Sequence, residues 1–237
     1  MSVGGDVNKA KLNAARKAVE FITDAEVIGV GTGSTVEMFI KILSELGSDF
    51  RDKVFTASSI DTVLKLSDIG LKVLHPASIE RIDVYVDSAD EVDRDLNMIK
   101  GGGAALTLEK ILTYYSSKRI FIVDHTKLVS HLGEKHPVPI DVQPYALRMV
   151  YSYLLRQGYN PKIRYSVKGK YGPVISDIGG VIIDVYPPKD FDPQELEREL
   201  ASLPGVIETG LFIGLADYVI VGYEDRVNVL KREVRSM

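Results

Sequence analysis

Between residues 26 and 124, short apolar runs alternate with segments of helical periodicity. That alternation restricts the first half of the chain more than any other feature. EVIGVG (26–31) reads as a buried strand ending in glycines, and VEMFIKILSELG (36–47) as a helix stopped by Gly47. VFTA (54–57) and LKVL (71–74) read as strands around a short helix near 60–68. IDVYVDSAD (82–90) is a strand running into carboxylates, ALTLEKILTYY (105–115) a helix, and RIFIVD (119–124) a further strand. A first helix is marked by Leu12, Ala15, Val19 and Ile22, with Asn8 as its expected cap. Strands that alternate with helices pair in parallel and are covered on both faces, which predicts an α/β fold with a mostly parallel sheet.

The pattern changes after about residue 128. HPVPIDVQP (136–144) is proline-rich and reads as a connection. A helix over 145–157, strands near 161–166 and 173–186, and a helix opening D-P-Q-E at Asp192 follow, which is the order of a small α+β lobe. YVIVGY (218–223) reads as a strand returning to the first sheet. The expected division is therefore a large domain from 1–128 and 208–237, and a lobe from 129–207. A length of 237 residues suits one large domain with a smaller companion.

Composition removes several function classes. The net charge of -4 implies no basic face, so nucleic acid is not an expected partner. With no cysteine, disulfides, thiolate catalysis and Cys-ligated zinc are excluded, and the four histidines have no metal-ligand spacing, so no metal is expected. No apolar run is long enough to cross a membrane and the N-terminus has no apolar leader core, so a cytoplasmic protein without membrane contact is expected.

Four segments carry residues suited to chemistry. Gly29–Thr35 (GVGTGST) follows a strand and opens a helix, where backbone N–H groups and the hydroxyls of Thr32, Ser34 and Thr35 suit a phosphate. The alternative is a tight, well-capped turn. The segment lacks the third glycine of a dinucleotide fingerprint and the Gly-Lys of a P-loop. Val86–Glu91 (VDSADE) places Asp87 and Asp90 at the end of a strand, where ligands bind in open α/β sheets; the alternative is a polar loop with an aspartate cap. Lys100–Lys110 (KGGGAALTLEK) has three successive glycines, which are costly to order and let backbone approach a ligand, with Glu109 about two turns into the following helix. A solvated helical glutamate is the alternative there. Val123–Lys127 (VDHTK) follows another strand, and its Lys127 either reaches an anion or is a surface lysine.

Taken in order, GVGTGST, VDSADE, KGGGAALTLEK and VDHTK closely resemble the signature blocks of the A-type ribose-5-phosphate isomerases, and PGVIETGLFIG (204–214) extends the resemblance toward the C-terminus. The resemblance implies a Rossmann-like domain with a smaller ferredoxin-like α+β lobe, assembled as a homodimer or homotetramer. It implies interconversion of D-ribose 5-phosphate and D-ribulose 5-phosphate in the pentose phosphate pathway, without a cofactor. Substrate binding falls on Thr32, Gly33, Ser34 and Thr35, on Asp87, Ser88, Ala89 and Asp90, on Lys100, Gly101, Gly102 and Gly103, and on Lys127. The proton acceptor falls on Glu109, with Asp87 and Lys100 as its catalytic companions, and Lys11 falls near the phosphate. The family usually has glycine where this chain has Ser88, so a slightly altered loop is expected there.

Two readings from other classes stand beside the enzyme. A sugar-phosphate sensor of related fold needs the phosphate turn but no base, and it usually carries a DNA-binding helix pair, for which the residues before the first strand leave no room. A nucleotide-dependent oxidoreductase is disfavoured by Ser34 at the third glycine position.

Overall fold

The computed structural model describes residues 6–166 and 171–233. By backbone packing the chain divides into a first unit, through Ala89, Ile111–Leu128 and from Leu215 on, and a second unit, Asp90–Lys110 and Val129–Gly214. Segments 90–110 and 208–214 thus group with the second unit rather than the first, unlike the division expected from sequence. The ends of the expected first domain, 1–5 and 234–237, lie outside the described residues.

In chain order the helices are α1 (Val7–Ala18), α2 (Ser34–Leu46), α3 (Ile60–Asp68), α4 (Leu106–Tyr114), α5 (Leu147–Arg156) and α6 (Pro193–Ser202). The strands are β1 (Val27–Val30), β2 (Val54–Ala57), β3 (Lys72–Val73), β4 (Ile82–Asp87), β5 (Glu91–Val92), β6 (Met98–Ile99) and β7 (Ser116–Asp124), then β8 (Val138–Val142), β9 (Asn160–Ile163), β10 (Val181–Tyr186), β11 (Val206–Thr209), β12 (Leu211–Phe212), β13 (Tyr218–Gly222) and β14 (Val227–Lys231).

The first unit is built on a seven-stranded sheet in the order β14-β13-β7-β4-β1-β2-β3, parallel except for the β13–β14 hairpin at its edge. From β1 the chain winds outward through β2 and β3, then restarts on the other side with β4, so the strand order reverses between β1 and β4. Ile28, Val30, Val84, Val86, Ile120 and Ile220 on the strands pack with Ala14, Ala18, Phe39 and Leu43 from α1 and α2. The first helix is capped by Asp6, whose carboxylate accepts from the N–H of Asn8 and Lys9, and not by Asn8. Gly47 ends α2 with a positive φ of 55° and returns its N–H to Leu43, as its position in the sequence predicts.

The second unit holds an antiparallel sheet in the order β11-β8-β10-β9, with α5 and α6 packed on one face. This is the βαββαβ order of a ferredoxin-like lobe. Alternation along the strands sets its two faces. Val138, Ile140, Val142, Ile183 and Val185 meet Val150, Leu154, Leu196 and Leu200 of the helices. The residues between them face the other way: Ile182 packs with Ala104 and Leu106, and Asp141 accepts a hydrogen bond from Thr107 at 2.8 Å. A three-stranded sheet, β12-β6-β5, completes the unit.

The sequence reading of 136–144 as a connection is corrected: β8 is an inner strand and every residue in it is buried. Proline normally avoids inner strands because it has no N–H for the ladder. Pairing of β8 with β11 stops at Ile140, so Pro139 sits just past the end of that ladder, and its carbonyl accepts from Gly210 at 2.7 Å. The missing donor therefore falls where no strand partner requires it. The expected strand over 173–186 is also shortened. Only single bridges occur at Pro173 and Ile175, and the regular strand starts at Val181 after a turn.

Candidate active site

Two groups of residues answer to the sequence motifs, one in each unit. The first stands at the reversal of strand order between β1 and β4, the place outside the carboxyl ends of strands where open α/β sheets bind ligands. The turn Gly31–Gly33 leaves β1 and enters α2, and Asp87 ends β4. Asp87 is fully buried, and its carboxylate binds the turn together. Oδ1 accepts from the N–H of Thr32 at 3.1 Å and of Ser88 at 2.7 Å, while Oδ2 accepts from the hydroxyl of Tyr85 at 2.7 Å. The carboxyl group fills the space beside Gly31 that any side chain would take: a Cβ there would stand 1.8 Å from its Cγ. Gly33 has φ 118°, which L side chains rarely adopt, and it presents the start of α2 without a side-chain cap. The N-terminal turn of that helix carries Ser34 and Thr35, and the ammonium of Lys11 donates to Ser34 Oγ at 2.9 Å. Lys127 follows β7 in a short 3-10 turn capped by Asp124. Amides at a helix start, hydroxyls and the ammonium group of Lys11 form a setting suited to a phosphate dianion.

Ser88 does not require the backbone conformation reserved for glycine, since the left-handed non-glycine residues among those described are Leu96 and Ala104. Its hydroxyl donates to the carbonyl of Thr32 at 3.2 Å, adding a link between the two loops.

The second group surrounds the triple glycine. Lys100 ends the β6 segment with its N–H on the carbonyl of Gly210 at 2.9 Å, and α4 begins at Leu106. Glu109 lies in the first turn of that helix. Lys100 Nζ and Glu109 Oε2 are 3.3 Å apart, and their side chains are 2% and 4% exposed. Burying such a pair costs several kcal/mol in lost hydration, which packing alone does not demand. Water-shielded ionisable pairs of this kind cluster at functional sites. Two ammonium groups approach the Phe212 ring, Lys100 Nζ at 5.4 Å and Lys110 Nζ at 5.3 Å from its centroid. Lys110 itself is spent on Glu208 at 2.7 Å and Thr209 at 3.0 Å, which leaves Glu109 and Lys100 as the pair at the glycine segment. Asp90 accepts from the N–H of Gly102 at 2.8 Å. Ala89 is buried, while Gly102 and Gly103 are exposed.

Tyr85, Phe212 and Arg164 also belong to these groups, and sequence reasoning does not single them out. A tyrosine in a strand reads as core, and Phe212 stands only inside the PGVIETGLFIG block. Among the described residues no cluster of His, Asp and Glu has the arrangement of a metal site, and no helix is long and apolar enough to cross a membrane.

Residues 54–226 match the family model of ribose 5-phosphate isomerase A (phosphoriboisomerase A). The chain is 43% identical to ribose-5-phosphate isomerase A of Pyrococcus abyssi over 229 residues, covering 96% of this chain and 100% of the relative. It is 45% identical to the enzyme of that name from Aeropyrum pernix over 214 residues, covering 88% and 89%. Among solved structures, a D-ribose-5-phosphate isomerase in complex with phospho-erythronic acid is 43% identical and superposes with a TM-score of 0.91, covering 96% of this chain and 100% of that one. On the shared fold, the motifs and this similarity over nearly its whole length, the chain belongs to the ribose 5-phosphate isomerase A family.

Proposed function

We propose that this chain interconverts D-ribose 5-phosphate and D-ribulose 5-phosphate through a cis-enediolate, with Glu109 carrying the proton between C2 and C1. The buried Lys100–Glu109 pair beside the triple glycine supports this reading most directly. Both protons lie on one face of the enediolate, so one carboxylate serves both transfers, and a positioned base typically contributes about 10²–10⁴-fold. Charge developing on the sugar oxygen is met by the Lys100 ammonium and the N–H groups of Gly101 and Gly103, while the Gly102 N–H holds the Asp90 carboxylate in place. Asp87 and Asp90 hold sugar hydroxyls and assist ring opening, Asp87 from a carboxylate that Tyr85 and two amides keep in one orientation. Thr32–Thr35, with Lys11 and Lys127, take the phosphate and fix the non-reacting end.

The phospho-erythronic acid bound by the relative is consistent with this chemistry. Its phosphate matches that of the substrate, and its planar carboxylate resembles the enediolate. The sensor reading has no comparable support, because a binding protein has no use for the buried base. Assembly as a homodimer or homotetramer in the cytoplasm belongs to the same proposal. It is supported by exposed apolar side chains such as Ile60 and Leu64 on α3 and by the chemistry of a phosphorylated substrate. The test of the function is ketose formation from ribose 5-phosphate by purified protein treated with EDTA and dialysed. Undiminished turnover is expected, and loss of activity that a divalent ion restores would overturn the cofactor-free scheme.

A further inference from the structure

The guanidinium of Arg164 grips the glycine segment from behind. Its Nη1 donates to the carbonyl of Gly101 at 2.8 Å and to that of Gly102 at 3.0 Å. The other edge of the fork is held by Asp184: Nε donates to Oδ2 at 2.9 Å and Nη2 pairs with Oδ1. Asp184 lies on β10, next to Ile182, whose side chain meets Ala104 and Leu106. The ion pair is only 18% and 14% exposed.

Two consequences follow from peptide geometry. A trans peptide points its C=O and N–H in opposite directions, so carbonyls drawn to Arg164 turn the N–H groups of Gly102 and Gly103 away from it. The contact from Gly102 N–H to Asp90 Oδ2 at 2.8 Å marks that opposite side. A cation on a carbonyl also polarises the amide it belongs to and strengthens the N–H as a donor. The segment needs such a hold. Gly101 at φ 106° and Ala104 at φ 64° are both left-handed, and conformations of this kind persist only where the surroundings over-determine them. Lys100, one residue ahead of the clamp, is the partner of Glu109.

We propose that Arg164, held by Asp184, is a positioning residue for the isomerisation: it sets and polarises the two peptides whose N–H groups hold the Asp90 carboxylate, at Gly102, and meet the developing oxyanion, at Gly103. The inference rests on the proposed use of those amides. Lysine cannot replace the fork, because a single ammonium cannot satisfy two carbonyls and a carboxylate in that geometry.

The experiment compares Arg164→Lys, Arg164→Met and Asp184→Asn with the parent for kcat, KM, thermal midpoint and affinity for phospho-erythronic acid. Both Arg164 variants are expected to lose about 10–100-fold in kcat, the range for partners that orient reacting groups. Affinity for phospho-erythronic acid should fall in parallel, while KM for ribose 5-phosphate changes little. Asp184→Asn should lie between them and the parent. Should Arg164→Met not fold, the other two variants decide by the same readouts. Wild-type kcat and wild-type phospho-erythronic acid affinity in Arg164→Lys would overturn the inference. So would losses that track the thermal midpoint alone, with kcat per folded molecule unchanged. Glu109→Gln serves as the control. If it stays active, the reading of the site fails; if it is inactive while Arg164→Lys is normal, only this inference fails.

Discussion

Asp87 shows how much a single side chain organises here. Three donors fix its two oxygens, and its carboxyl group occupies the space beside Gly31. Gly31→Ala would drive a methyl group into that carboxylate, so little folded, active protein is expected on purification and assay. Tyr85→Phe is a milder probe. It leaves a buried carboxylate oxygen short of a donor, which costs about 1–3 kcal/mol, so the thermal midpoint should fall measurably and KM for ribose 5-phosphate should rise. An unchanged midpoint would mean that Asp87 does not depend on the tyrosine. The candidate residues that the sequence alone points to are those whose type carries chemistry in a telling place: Asp87 at a strand end, Glu109 after three glycines, the hydroxyls at a helix start. Tyr85 and Arg164 were not legible, because their roles come from whom they face. Arg164 lies more than sixty positions from the carbonyls it holds, and no local pattern connects them.

At the scale of elements, caps and periodicity did most of the specifying. Asp192 accepts from the N–H groups of Gln194 and Glu195 ahead of Pro193, as the D-P-Q-E signature predicts. Asp192→Ala should therefore lower stability by about 0.5–2 kcal/mol in a denaturation experiment while kcat stays at the parent value, since α6 packs on the face of its sheet opposite Asp141 and Ile182. The strand β8 was misread because two prolines in a short stretch outweigh an apolar alternation in any local reading. Its place depends on the pairing with β11 stopping at Ile140, which is a fact of pairing and not of local sequence. The short β5–β6 hairpin and β12 were missed for a related reason: two-residue strands carry no period. Glu91, buried in β5, accepts from the N–H groups of Gly133, Lys135 and His136, and so ties the loop before β8 to that hairpin.

For the whole molecule, the parallel sheet followed from the alternation of elements, whereas the strand order with its reversal between β1 and β4 and the grouping of 90–110 with the second unit did not. Thr107 and Leu106 join that unit through Asp141 and Ile182, contacts that cross long stretches of sequence. Two carboxylates should shape stability against pH in opposite senses. Burial pushes the Asp141 carboxyl above the ordinary carboxylate range, against hydrogen bonds from Ser176 and Thr107. The folded state then holds a proton that the unfolded chain has released, so stability falls as pH rises from the ordinary range through the raised value. Asp141→Asn should be at least as stable as the parent at neutral pH, with the difference shrinking in acid. For Asp217, burial pushes upward, but hydrogen bonds and charge from Arg119 outweigh it and hold the carboxyl below its ordinary value. Its contribution is present above the ordinary range and is lost as pH falls through the depressed value. Thermal melts of Asp217→Asn should therefore show a deficit at neutral pH that narrows in strong acid.

The proton carried by Glu109 is the claim on which the proposed activity turns. Ribose 5-phosphate in deuterated water, followed by NMR with the parent and Glu109→Gln, reads turnover and exchange of the C2 proton together. The parent should form ketose and exchange that proton; the variant should still bind substrate while kcat falls by about 10² or more and exchange slows in parallel. Near-normal turnover and exchange in Glu109→Gln would assign the proton to another base, and binding without turnover or exchange by the parent would contradict the enzyme altogether.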